Sequence, residues 1–197
     1  VKVYGGAISS ESYLTTEDNV EIRQAINIDE KQSIAIKAAE LIKPNDVVYI
    51  DAGTTTDLLI KYLHEKQAVY ITNDASHAVQ LIKHGFETII IGGSMKSVTY
   101  AAVGAIAVES LQRYNFTIGF FGTNGISLKA GFTTPTAEEA MIKEIAIKHC
   151  KKAYILADRS KFGKITPVSF SSLEDAVIIT DKQPDESYLK YNIIVTE

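Results

Sequence analysis

Asp51-Ala52-Gly53-Thr54-Thr55-Thr56 sets a carboxylate, a glycine turn and three hydroxyls directly behind the apolar run Val47-Val48-Tyr49-Ile50. A strand that passes through such a turn into a helix leaves the first helical N–H groups without intrahelical acceptors. It also aims the positive end of the helix dipole at one point. Threonine hydroxyls around that point add donors, so a phosphate fits there without a dedicated cation. The Lys-Ser/Thr ending of a nucleotide P-loop is missing, and so is G-x-G-x-x-G, which favours a small phosphorylated metabolite over ATP or NAD. On the motif alone a plainer account stays open, in which the threonines cap a helix and Gly53 only makes the turn.

Polar or glycine-rich clusters also follow the other apolar runs: Thr72-Asn73-Asp74, Gly92-Gly93, Gly122-Thr123-Asn124-Gly125 and Asp158-Arg159-Ser160-Lys161. Asn and Asp at strand ends make turns by bonding their own backbone, so each position alone has a local explanation. Their convergence on one edge of a sheet favours a ligand site, because open α/β sheets bind ligands beyond the carboxyl ends of their strands.

The elements that must position these residues alternate. After an irregular opening over 1–26, Asn27-Ile28-Asp29-Glu30 reads as a capping box that starts a helix through about Ile42, burying Ile34, Ala38, Leu41 and Ile42. Strands are expected at 47–50, 68–72, 88–91, 117–122, 153–157, 177–179 and 192–195. Helices are expected at 54–63, 76–83, 104–113 and 136–149. Continuous β-branched runs separated by helices predict an α/β fold with a mainly parallel, Rossmann-like sheet covered on both faces. No internal repeat or domain boundary is evident, so residues 1–197 read as a single domain.

Composition narrows the class. A chain of 197 residues with 46% hydrophobic and 22% charged residues has material for a real core, and its net charge of −4 makes it a poor candidate for gripping nucleic acid by itself. One cysteine, Cys150, excludes an internal disulfide and a cysteine-based metal cluster and points to a reducing compartment, the cytoplasm. No apolar run approaches the roughly 20 residues that span a bilayer, so no membrane partner is expected. His64, His77, His84 and His149 show no metal-ligand spacing, Ser127 has no evident histidine partner, and the tyrosines form no base-stacking platform. Neither a metal nor a cofactor is expected.

DAGTTT, TND, IGGSMK, VG at 103–104, FFGTNGIS, GFTTPTAEEAMIKE and LADRSKFGK stand in the order and spacing of a known family. From about Tyr4 to Asp181 the chain resembles the C-terminal sensor domain of DeoR-type bacterial transcriptional regulators. In that family YGGA follows an N-terminal winged helix-turn-helix, so the resemblance implies that the DNA-binding part lies outside this sequence and that operator DNA is reached only through it. The resemblance further implies a likeness to ribose-5-phosphate isomerase and glucosamine-6-phosphate deaminase, a phosphorylated sugar as effector, repression of sugar-utilisation genes, and homo-oligomers. The wording of GFFGTNGIS and GFTTP is similar to fructose-operon repressors, which suggests fructose 1-phosphate or a similar ligand.

Carried over by motif, Gly53, Thr54, Thr55 and Thr56 form the phosphate cradle. Lys96 would contact the phosphate or a neighbouring subunit. Asp51 and Asn73 would hold the loop or bond sugar hydroxyls, and Gly92 and Gly93 would let backbone approach the ligand. Asn124, Thr134, Glu138 or Glu139, Lys143 and Lys161 would line the sugar end. For Lys96, Glu139 and Lys143 a solvated surface is the plain alternative, and SKFG around Lys161 also suits a turn.

An aldose–ketose isomerase or deaminase-like enzyme is the competing function. Glu138 or Glu139 would move the proton and Lys143 would steady the enediolate. Asn124 argues against it, because the related isomerases carry an aspartate there and an amide is no base. Binding without turnover, with no catalytic residue, is the favoured expectation.

Overall fold

The computed structural model describes residues 11–14, 20–97 and 99–196, together with the backbone of 2–3 and 6–7. YGGA at the start of the family resemblance falls largely outside these residues. Three two-residue strands, β1 (Lys2–Val3), β2 (Gly6–Ala7) and β3 (Ser12–Tyr13), precede helices α1 (Val20–Ala25) and α2 (Ile28–Ala39). Strand and helix then alternate through β4 (Val47–Ile50), α3 (Thr54–Tyr62), β5 (Val69–Thr72), α4 (Ala75–Lys83) and β6 (Glu87–Ile90). A short hairpin, β7 (Ser94–Met95) with β8 (Ala102–Val103), leads into α5 (Ala105–Leu111) and β9 (Ile118–Gly122). Next come β10 (Gly125–Ser127), β11 (Gly131–Thr134), α6 (Ala137–Lys148) and β12 (Ala153–Leu156). The chain closes with β13 (Lys164–Ile165), β14 (Val168–Ser171), β15 (Val177–Thr180) and β16 (Ile193–Val195).

The main sheet has seven strands in the order β16-β15-β12-β9-β4-β5-β6, every pair parallel. Successive residues of a strand face opposite sides. Val48 and Ile50 pack with Ile34, Ala38 and Leu59 of α2 and α3. Tyr49 packs on the other side with Phe121, with Ala107 and Leu111 of α5, and with Ile142 of α6. Both faces are thus apolar and covered, which is why the strands read as continuous β-branched runs. From β4 the chain winds outward through β5 and β6, then returns to the other side of β4 as β9 and winds outward again. The reversal of winding lies between β4 and β9, where such sheets open a crevice at the strand ends.

Two sequence expectations are corrected. Asn27 does not cap α2: its backbone is left-handed (φ 54°) with no side-chain cap bond, and its amide donates instead to Asp158 Oδ1 at 3.1 Å. The tertiary partner outcompetes the local one. Helix α2 also ends at Ala39 rather than Ile42, although Ile34, Ala38 and Ile42 are buried. Two features were not anticipated. Helix α1 lies in the opening segment, and β10-β11-β14 form an antiparallel sheet beside the crevice. Those strands are short and broken up by glycine, serine and threonine, so they lack the apolar runs that mark the main sheet.

Candidate functional site

A cleft of about 760 Å³ opens at the carboxyl ends of β4, β5, β9 and β12. Its floor is the turn after β4. Gly53 stands at the N-terminus of α3 with extended backbone and offers that helix no side-chain acceptor. The first N–H groups of α3 are therefore left for water or a ligand. Thr54 and Thr55 line the cleft beside them. Thr56 does not: it is fully buried, and its hydroxyl donates to the Gly53 carbonyl at 2.9 Å, which fixes the turn from beneath.

Asn73, at the end of β5, lines the same cleft but is largely committed to the protein. Its Oδ1 accepts from the Tyr49 hydroxyl at 3.1 Å and from the Ala52 N–H at 3.2 Å, while Nδ2 donates to the Ala102 carbonyl. Of the two roles expected for Asn73, this is the loop-holding one.

Asp51 is buried where the winding reverses. Its Oδ2 accepts from the Gly122 N–H of β9 and from the Lys143 ammonium of α6, and Lys143 donates in addition to the Gly122 carbonyl. Burial pushes the Asp51 carboxyl up, and the Lys143 charge works against that rise. Above this pair, Glu139 Oε1 meets Lys96 Nζ at 2.6 Å, and Oε2 accepts from the Thr134 hydroxyl at 3.2 Å. Burial alone would raise the Glu139 carboxyl, but the Lys96 hydrogen bond and the charges of Lys143 and Lys96 hold it below the usual carboxylate range. Asn124 reaches Thr134 at 3.5 Å.

The cleft thus brings together Asp51, Gly53, Thr54, Thr55, Asn73, Asn124, Thr134, Glu139, Lys143 and Lys161. Four of the other expected residues stand outside its lining besides Thr56. Lys96 braces Glu139 and Thr136 at the start of α6. Glu138 is exposed on the first turn of α6, and Gly92 is exposed with open space beside it. Gly93 is required by packing, since a Cβ there would stand 2.7 Å from the Val103 carbonyl and 2.9 Å from Ala107.

Other lining residues escaped the sequence reading. Lys31 is buried on α2 and donates to the Arg23 carbonyl. Burial lowers its pKa, with Asp158 pulling the other way and Lys161 and Arg23 adding to the fall. Its signal was present: Lys31 shares a helical face with Ile34, Ala35 and Ala38, where a lysine is out of place unless it serves something inside. Arg23 and Lys164 join it in the lining, and Asp57, Asp74 and His77 line the α3–α4 side. Among the described residues no helix is long and apolar enough to cross a membrane, and no group of His, Cys, Asp and Glu side chains is placed to hold a metal ion.

The chain is similar to known proteins in sequence and in fold. Residues 26–182 match the family model described as the DeoR C-terminal sensor domain. The chain is 38% identical over 191 residues to the HTH-type transcriptional regulator FruR of Bacillus subtilis, covering 96% of this chain and 76% of that protein. It is 31% identical over 188 residues to the lactose phosphotransferase system repressor of Staphylococcus aureus, covering 94% and 74%. Ribose 5-phosphate isomerase A of Methanocaldococcus jannaschii superposes with a TM-score of 0.52 at 17% identity, over 69% of this chain and 55% of that one. That likeness is one of fold, and the chain spans little more than half of the isomerase. The relatives in sequence are transcriptional regulators, not enzymes.

Proposed function

The chain belongs to the family of DeoR C-terminal sensor domains, and from that premise we propose that its cleft binds a phosphorylated sugar and reports it to a DNA-binding domain of the same regulator. The observation that carries the proposal is the uncapped start of α3, open to the cleft at Gly53, Thr54 and Thr55. Helix N-termini of this kind attract phosphate through N–H groups and dipole together. Lys31 and Lys161 add positive charge from the β12 side of the cleft, so the cradle has cationic support that does not come from Lys96. The sugar hydroxyls would meet Asn124, Thr134 and the Asp51–Lys143 and Glu139–Lys96 pairs.

Occupancy then biases the arrangement of subunits or of DNA-reading heads, by no more than the ligand's preference for one state over the other. A homo-oligomer in the cytoplasm suits this role, since paired heads read paired half-sites. The name of the staphylococcal relative supports a link to sugar uptake, and fructose 1-phosphate is the first ligand to try.

Binding without turnover has its own physical support. Both carboxylate oxygens of Glu139 are already engaged, Oε1 by the Lys96 ammonium and Oε2 by the Thr134 hydroxyl, and Asn124 is no base. The test is calorimetric titration with fructose 1-phosphate, fructose 6-phosphate, tagatose 6-phosphate, glucosamine 6-phosphate, ribose 5-phosphate and free fructose, followed by NMR of each mixture. Saturable binding of one phosphate, none of fructose and an unchanged sugar is expected. A converted sugar would make the domain an isomerase.

A further inference from the structure

Two helix N-termini face the cleft side by side, α3 after β4 and α4 after β5, on strands that neighbour each other in the sheet. They are finished differently. Gly53 leaves α3 open, whereas Asp74 closes α4: its Oδ1 accepts from the Ser76 N–H at 2.8 Å and the His77 N–H at 3.1 Å. The place where a second anion would sit is already filled by the protein's own carboxylate. Acceptors gather around it, because Asp74 Oδ2 and Asp57 Oδ1 each lie 3.8 Å from His77 Nε2, beyond hydrogen-bond reach.

His77 is 1% exposed, lines the cleft, and has no partner for Nδ1 among the described residues. Nδ1 is thus unsatisfied, and Nε2 faces two carboxylates at 3.8 Å with no hydrogen bond to either, so in a cleft wall a ligand can complete the Nε2 side.

We infer that His77, Asp57 and Asp74 form a hydroxyl-reading corner that restricts the effector to one phosphate, selecting sugar monophosphates against bisphosphates. This rests on the reading of the cleft as a sugar-phosphate site. A ligand hydroxyl in the corner accepts from the Nε2–H of His77, the ring nitrogen that faces the carboxylates, and donates to an Asp57 or Asp74 carboxylate oxygen. A second phosphate there faces two carboxylates and a helix end with no free donors.

The experiment is calorimetric titration of the chain with fructose 1-phosphate, fructose 6-phosphate, fructose 1,6-bisphosphate and inorganic phosphate, repeated on Asp57→Asn and His77→Gln. At least one monophosphate should bind about tenfold or more tighter than the bisphosphate. Asp57→Asn should narrow that ratio by removing a repelling charge. His77→Gln should weaken the monophosphate about tenfold while leaving inorganic phosphate unchanged, a split that a purely structural role does not produce. Equal or tighter binding of the bisphosphate by the unaltered chain would overturn the corner and leave the phosphate cradle standing, as would variants that shift all ligands together. If neither these nor the tagatose, glucosamine and ribose phosphates of the wider panel bind, the sugar-phosphate reading falls and the corner with it.

Discussion

The Lys143 ammonium and the Asp51 carboxylate form an ion pair with both side chains buried, 7% and 2% exposed, at the point where the sheet reverses its winding. The pair joins α6 to the turn after β4, and Gly122 of β9 bonds both partners. Lys143→Met leaves a carboxylate buried without its counter-charge and should cost about 3–5 kcal/mol. The double variant Asp51→Asn, Lys143→Met should recover much of that loss. Urea unfolding of Lys143→Met, Asp51→Asn and the double variant measures the coupling, and a double loss equal to the sum of the single losses would mean that the pair does not act as a unit.

Glu139 predicts an acid limb of stability. Its carboxyl titrates lower in the folded chain than in the unfolded one. As pH falls, the unfolded chain takes up that proton first, so the contribution of Glu139 is full above the ordinary carboxylate pKa of about 4.3 and is lost as pH drops through the folded value. Glu139→Gln should therefore flatten the fall in stability below about pH 4.5. Denaturant midpoints from pH 7 down to pH 3 would show it, and parallel curves for the two proteins would contradict it.

Thr55 is the hydroxyl to alter in the cradle, since Thr56 is spent on Gly53. Thr55→Ala should weaken a bound sugar phosphate by about 1.5–3 kcal/mol, the range for a hydrogen bond to a charged group. Thr55→Glu should abolish binding by placing a carboxylate at the phosphate position. Calorimetry on variants with unaltered thermal unfolding reads both, and normal affinity in the two together would remove the cradle from the site.

Gly125 begins the small antiparallel sheet beside the cleft. A Cβ there would lie 2.4 Å from the Lys164 carbonyl and 2.7 Å from Thr133 Oγ1. Gly125→Ala should force those neighbours apart at a cost of about 1–3 kcal/mol and loosen Asn124 and Thr134 with them. Thermal unfolding tests the first effect and ligand affinity the second.

The main sheet, its helices and the glycine turn were legible because each is written in local pattern: apolar runs of strand length, helical periodicity, and Asp-Ala-Gly-Thr at a strand end. The β10-β11-β14 sheet was not, because β11 and β14 are joined only through tertiary pairing across α6. At the site, Asp51, Thr54, Thr55 and Asn124 announce themselves at strand ends. Lys31 does so only as a lysine on an apolar face, and His77 becomes informative only when its buried Nδ1 is seen without a partner and its Nε2 beside two carboxylates. Asn27 misled because a capping sequence does not reveal that Asp158, far along the chain, offers the amide a better partner.

Asn73 has a mechanical consequence. One side-chain amide is bolted to the Ala52 N–H of the cradle turn, to the Tyr49 hydroxyl beneath the sheet, and to the Ala102 carbonyl of the β7–β8 hairpin. Beyond that hairpin the chain enters α5 within two residues. The turn cannot shift without shearing these bonds or dragging the hairpin along. A displacement at the cradle is therefore geared to the far side of the sheet through a single residue, in the manner of a linkage pin.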